Sequence, residues 1–257
     1  MNFEKSGCLI GEIRFKGNTK RNRKLYLDSN DDDIEDAFTE IKLKNRKEFI
    51  QPLPNKNKER EILYISGQSG SGKSYYSMLW ANEYKKMYPK NKIYLISSLA
   101  EDAGSIDKIK DLKKIKLSEE FLSADLTTRD FKNSLVIFDD TDVIRNKKIR
   151  EKVITILNML LETGRHSKTS VILTYHLPTN GNETRRILNE AHALTIFPAN
   201  MGGRATKYLL ENYFGMDKET IKKIKKLPSR WVSIVKSYPN VILYEKGAFL
   251  VNHEDDD

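Results

Sequence analysis

Gly67-Gln68-Ser69-Gly70-Ser71-Gly72-Lys73-Ser74 fits the pattern G-x-x-x-x-G-K-[ST] at every fixed position. The apolar run Ile62-Leu63-Tyr64-Ile65 precedes it, and Tyr76, Leu79, Trp80 and Met87 follow at near-helical spacing. Strand, glycine loop and helix come in the order that cradles phosphate. Glycines at 67, 70 and 72 let backbone N–H groups turn onto phosphate oxygens. A helix opening at about Lys73 adds its unpaired N–H groups and the positive end of its dipole. Lys73 is placed to reach the β- and γ-phosphates, and the Ser74 hydroxyl to ligate Mg²⁺.

Outward from this loop, strands and helices alternate. Candidate strands are Ile62–Ile65, Ile93–Ser97, Leu135–Phe138, Val171–Thr174 and Ala193–Phe197, with helical segments between most of them. Such alternation predicts an α/β fold with a mostly parallel central sheet covered by helices, and ligands at the carboxyl ends of its strands. Leu135-Val136-Ile137-Phe138-Asp139-Asp140 reads as a central buried strand whose tip carries paired carboxylates. Asp139 suits the metal, and Asp140 suits polarisation of an attacking water. A strand intervenes in sequence between loop and carboxylates, an order that favours hydrolysis over phosphoryl transfer to a small acceptor.

Residues 149–161 form the next predicted helix, apolar at 149, 153, 156, 157, 160 and 161 and ending near Gly164. Arg165 and His166 follow, then a strand running into Tyr175-His176. His176 is thereby expected at a strand tip beside Asp139 and Asp140, within reach of a γ-phosphate or its water.

At 257 residues, with 39% hydrophobic and 32% charged, the chain can build a core and is not disordered throughout. No apolar run approaches the roughly 20 residues of a membrane span, so no membrane insertion is expected. The one cysteine, Cys8, excludes an intramolecular disulfide framework, fits a reducing compartment and is expected as a buried thiol. Four histidines without paired spacing give no metal site. A net charge of +9 points to a polyanionic partner or to lysine-rich solubility.

The order of the phosphate loop, apolar-Asp139-Asp140, Gly164-Arg165-His166 and a strand ending Thr174-Tyr175-His176 resembles the FtsK-HerA superfamily of ring-forming DNA-pumping ATPases. Within it, the likeness is to the genome-packaging ATPases of large double-stranded DNA viruses. Arg185-Arg186-Ile187-Leu188-Asn189-Glu190-Ala191-His192 and Leu227-Pro228-Ser229-Arg230-Trp231-Val232 resemble that viral branch too, and the resemblance covers roughly residues 60–250. It implies a RecA-like P-loop NTPase fold, ATP and Mg²⁺ as cofactors, double-stranded DNA as cargo, self-association into a hexameric or pentameric ring, and capsid proteins as further partners. The setting it implies is the host-cell cytoplasm or virus factory, and the virion. Gly67 through Ser74 match the nucleotide loop, Ser74 and Asp139 the metal side, and Lys73 and Asp140 the catalytic lysine and acid. The acid is often Glu in cellular members, and the shorter Asp shortens the reach to water. His176 falls at the sensor position, where cellular relatives commonly have Gln, and Arg165 where some relatives place an arginine finger acting on a neighbour's nucleotide. Arg145, Arg185 and Arg186 compete for that last role. The alternative function is a nucleoside or small-molecule kinase, although the chain shows no clear Arg-rich lid.

The flanks read differently. Residues 1–58 carry a short strand at Cys8–Phe15, the basic run Lys20-Arg21-Asn22-Arg23-Lys24 and the acidic cluster Asp31–Asp36, and are expected as a small or partly mobile extension and linker. The ATPase domain is expected over 59–251. From about 202 it holds helices at 205–214 and 217–226 and strands near 231–237 and 241–251, with an acidic tail at 252–257. Lysines at 218, 222, 223, 225 and 226 make the second of these helices basic, either as a DNA-facing patch or as a solvated face.

Overall fold

The computed structural model describes residues 1–28, 37–98, 105–179, 181–200 and 203–251, the side chains of 182, 183 and 200 apart. The acidic cluster at 31–36 and the acidic tail at 252–257 lie outside the described residues. The chain divides into two compact units, one made of Met1–Asn57 with Ala193–Asp257, the other of Lys58–His192.

The first unit begins with strands β1 (Cys8–Phe15), β2 (Arg23–Leu27), β3 (Glu40–Lys42) and β4 (Glu48–Pro52). β1 is central in a three-stranded antiparallel sheet, pairing Ile13 with Arg23 of β2 and with Ile50 of β4. Cys8 begins this strand and is exposed, in contrast to the buried thiol expected of it. The apolar positions that turn inward are the ones after it, Leu9, Ile10 and Ile13.

The second unit carries β5 (Ile62–Ser66), α1 (Lys73–Met87), β6 (Lys92–Ser97), β7 (Leu112–Lys114), α2 (Glu119–Ser123), β8 (Ser134–Asp139), α3 (Lys147–Thr163), β9 (Ser170–Tyr175) and α4 (Gly181–Glu190). Its strands lie in the order β5-β9-β8-β6-β7, every neighbouring pair parallel. Every residue of β5, β8 and β9 is buried, which explains their unbroken apolar runs, since a parallel strand is covered on both faces. Tyr76, Trp80 and Tyr84 of α1 and Val153, Ile156, Leu157, Leu160 and Leu161 of α3 supply the helical stripes that do the covering. The strand lying between β5 and β8 in space is β9, while β6, which intervenes in sequence, lies on the far side of β8.

Two half-buried polar anchors fix the entry to β5. His192 accepts the Ile62 N–H on Nδ1 at 3.0 Å, and its own N–H returns to the Ile62 carbonyl at 2.9 Å. Arg60 donates to the carbonyls of Leu160 and Leu161, the latter at 2.6 Å, and so caps the end of α3. Gly164 leaves α3 with an ordinary right-handed φ of −63°; a Cβ there would meet Arg60 Nη1 at 2.8 Å, so the glycine makes room for the cap.

The chain then returns to the first unit with β10 (Ala193–Ile196), α5 (Arg204–Phe214), α6 (Lys218–Lys225), β11 (Val232–Val235), β12 (Asn240–Tyr244) and β13 (Gly247–Val251). Here Ala193–Ile196 runs antiparallel to β11, and the stretch expected as one strand over 241–251 is a hairpin turning at Glu245-Lys246. β3 joins its outer edge, Ile41 opposite Ala248. Ile10, Ile13, Leu25, Leu27, Ile41 and Ile50 share one core with Val241, Leu243 and Ala248. The residues expected to form an extension are thus folded against the C-terminal strands, and the Ile50 N–H donates to the Glu245 carbonyl at 2.9 Å. Within 231–244, Ile234, Val241, Leu243 and Tyr244 are buried, whereas Tyr238 is 77% exposed.

Candidate active site

The glycine loop leaves β5 and is tied to the neighbouring strand, since the Gly67 N–H donates to the Tyr175 carbonyl at 3.2 Å. A turn follows, Ser71 N–H to Gln68 carbonyl at 3.1 Å, with Gly70 at φ 75° and Gly72 at φ 110°. Those two glycines hold the left-handed conformations that a side chain would strain, and Gly67 does not. Gln68, Ser69 and Gly70 are exposed, and α1 opens at Lys73 with first-turn N–H groups that have no partner inside the helix. Loop and helix start therefore offer a ring of donors and a positive dipole end to an anion.

Lys73 itself is buried, 5% exposed, and its Nζ lies 3.5 Å from Asp140 Oδ1 and 3.5 Å from His176 Nδ1. His176 Nδ1 is 3.4 Å from the same carboxylate oxygen, closing a triangle. Strand register explains the convergence. Ser66 is level with Tyr175, and Asp139 with Thr174, so the tip of β9 stands between the loop and the paired aspartates. Thr174 organises those aspartates. Its hydroxyl donates to Asp139 Oδ1 at 2.7 Å, and the Asp140 N–H reaches the Thr174 hydroxyl and carbonyl at 3.0 and 3.1 Å.

Asp140 takes a left-handed backbone, φ 47° and ψ 37°, a conformation that Asp tolerates better than most residues. At this turn the chain leaves the buried strand, so that Asp139 stays 1% exposed while the Asp140 carboxylate meets Lys73 and His176. A third carboxylate completes the cluster: Asp142 Oδ2 accepts the His176 N–H at 3.2 Å. Burial pushes the Asp142 carboxyl above its ordinary value, against the pull of the His176 N–H and ring. Its other oxygen is buried without a hydrogen-bond partner among the described residues.

The fold thus brings Lys73, Asp140 and His176 together, with Ser74 in the first turn of α1 and Asp139 at the tip of β8. Arg165 stands apart. It precedes β9 whereas His176 follows it, so a full strand, about 20 Å of extended chain, separates the two. Its guanidinium is exposed and pairs with Glu59 at 2.5 Å, which holds the Glu59 carboxyl below its usual range. Arg145, Arg185 and Arg186 are exposed as well, Arg186 pairing with Glu162 at 2.9 Å. Motif and spacing do not single out two residues of this cluster, Asp142 and Thr174. The signals they do carry are slight: Asp142 sits two positions beyond Asp140 in the same run of carboxylates, and Thr174 is the polar residue that ends the apolar run Val171-Ile172-Leu173.

Searched against protein-family models, the chain has no match. Protein V3 of Sputnik virophage, itself uncharacterised, is 45% identical over 202 residues, covering 77% of this chain and 79% of its own. The chain belongs to the virophage V3 family. Among solved structures, the cytoplasmic domain of the type VII secretion ATPase EccC from Thermomonospora curvata superposes on this V3-family chain with a TM-score of 0.50 at 11% identity, over 85% of the chain and 29% of EccC. That likeness shows the fold alone, a mostly parallel α/β sheet flanked by helices of the P-loop NTPase kind. The DNA-packaging ATPase B204 of Sulfolobus turreted icosahedral virus gives a TM-score of 0.47 at 18% identity, over 73% of the chain and 98% of B204. Among the described residues no helix is long and apolar enough to cross a membrane.

Proposed function

We propose that this V3-family protein is an ATP-hydrolysing motor that moves double-stranded DNA in genome packaging. The observation that carries the reading is the triangle of buried Lys73 with part-buried Asp140 and His176 at the carboxyl ends of a parallel sheet, against the glycine loop and the opening turn of α1. Phosphate oxygens entering the loop compete with Asp140 for the Lys73 ammonium. The carboxylate they release is then free to accept a proton from an attacking water. His176 stands on the same oxygen and senses whether the γ-phosphate is present.

Ser74 and Asp139 supply hard oxygen donors of the kind Mg²⁺ prefers, and the Thr174 hydroxyl orients the Asp139 carboxylate. When bound, the ion neutralises charge on the β- and γ-phosphates. Arg165, exposed and far from its own loop, acts on the nucleotide of a neighbouring subunit, so turnover requires a ring. DNA as cargo rests on the motif resemblance and the net charge of +9, and the viral setting on the virophage relative.

The test is ATPase rate against protein concentration, with and without double-stranded DNA. Rate per subunit rises with concentration and with DNA; a rate indifferent to both removes the motor. Arg165→Ala doped into wild type lowers activity more than in proportion, and simple dilution of activity would remove the shared site.

A further inference from the structure

We propose that one end of the three-stranded sheet in the first unit is the surface that grips the sugar-phosphate backbone of duplex DNA. This inference rests on the motor reading above and assigns it a place on the chain. The turn joining β1 to β2 and the first two residues of β2 carry Lys16, Lys20, Arg21, Arg23 and Lys24, all exposed. Next to it lies the loop entering β4, with Lys44, Arg46 and Lys47 exposed. The ladder joins the two: Phe15 is level with Glu48, and the Lys16 N–H donates to the Lys47 carbonyl at 2.9 Å. Lys246 adds a ninth cation from the hairpin turn, donating to the Arg46 carbonyl at 3.1 Å.

Acids do not offset this charge. Residues 14–24 and 43–48 contain one acidic residue, Glu48, and none of the eight cations of the two loops makes an ion pair among the described residues.

Two arginines are held by ring faces in place of carboxylates. The Arg21 guanidinium lies 4.6 Å from the centroid of Phe15 and that of Arg23 lies 4.8 Å from Phe3. Stacking fixes the plane of a guanidinium while leaving its full charge and its edge donors free, the arrangement suited to bidentate contact with phosphate. Each ring has one face taken by a guanidinium, which leaves less open aromatic face for unstacked bases. Single-strand binding uses open aromatic faces, and this surface fits the backbone of a duplex without reading sequence.

The experiment measures binding of a random-sequence duplex to the full chain as a function of salt, for wild type and three variants. Changing Lys20, Arg21, Arg23 and Lys24 together to Gln lowers the slope of log K against log salt by about 3 to 4, close to 0.9 for each phosphate no longer neutralised, and weakens binding by about tenfold or more. A second variant, K44Q/R46Q/K47Q, lowers the slope by about 2 to 3 through a different loop of the same end. The third neutralises Lys218, Lys222, Lys225 and Lys226 of α6 and leaves the slope unchanged. Thermal melting confirms folding, and ATPase without DNA stays at the wild-type rate in all three. Wild-type binding with an unaltered slope in both loop variants, or a slope lowered only in the α6 variant, overturns the surface and leaves the motor standing. Failure of wild type to bind duplex overturns both.

Discussion

The two units solve the same problem, burying β-strands, in opposite ways. Lys58–His192 uses parallel strands covered on both faces, so β5, β8 and β9 carry unbroken apolar runs, and polar residues, Ser66, Asp139 and Thr174 with His176 just beyond, gather at their carboxyl ends. The unit of Met1–Asn57 and Ala193–Asp257 uses antiparallel strands drawn from both ends of the chain, several of them wet on one face. Where a strand is buried on both sides, its polar terminus stands out and marks chemistry. Where it alternates, polar residues are simply the outer face, and charge there carries meaning only when it goes unpaired.

The sharpest test of the contrast is at the strand tips. Lys73→Ala removes the buried ammonium on which the loop's anion site centres, and both nucleotide binding and turnover fall by about 10³-fold or more in a steady-state ATPase assay with a parallel binding titration. Asp140→Asn separates the two quantities. Turnover falls by about 10² to 10⁴ while an ATP analogue still binds, because the charge removed competes with phosphate for Lys73. Weakened binding in that variant would make Asp140 a holder of metal or nucleotide and deny it the role of base.

In the other unit the measurable quantity is stability. Ile13 and Val241 lie 228 positions apart yet share a core. Ile13→Ala costs about 2 to 5 kcal/mol in a denaturant melt and leaves binding of the nucleotide analogue to the folded protein intact. Residues 1–57 as an independent appendage would show a separate early transition instead. Smaller again is Arg60→Met, which strips the cap from the end of α3 and leaves the Leu160 and Leu161 carbonyls without it, at about 1 to 2 kcal/mol. Methionine keeps much of the stem's packing, so an unchanged melt would mean the bonds to those carbonyls contribute nothing.

The legibility of the chain follows the same division. Gly67 through Ser74, β8 with Asp139 and Asp140, and His176 at the tip of β9 can be placed from local pattern, because loop, strand and tip are each contiguous and their burial is continuous. The pairing of Ile41 with Ala248 cannot, since it joins short strands about 200 residues apart and no local period announces it. The same limit applies to β9: nothing in its own residues says that it lies between β5 and β8, and that placement is what brings Thr174 onto Asp139. Charge is the least legible signal. The basic run at 20–24, expected in a small or partly mobile extension, spans the turn and the first residues of the second strand of a packed hairpin, and Arg165, expected to act on a neighbour's nucleotide, pairs with Glu59 of its own subunit.

Asp142 supplies the finest test, because it joins burial and charge in one side chain. Burial raises its carboxyl above the ordinary value, and the neighbouring titratable groups oppose each other there, His176 lowering it and Asp140 raising it. A carboxyl held high in the folded state binds its proton more tightly there than in the unfolded chain. Its contribution is therefore most favourable below the unfolded value of about 3.9 and is lost as the pH rises through the folded value. Asp142→Asn keeps an oxygen to accept the His176 N–H and removes the charge that burial penalises. The variant then melts slightly higher than wild type at pH 7, and the two converge as the pH falls toward about 4. A variant that melts lower at pH 7 would show that the negative charge beside His176 outweighs its desolvation, making Asp142 part of the electrostatic work of the site.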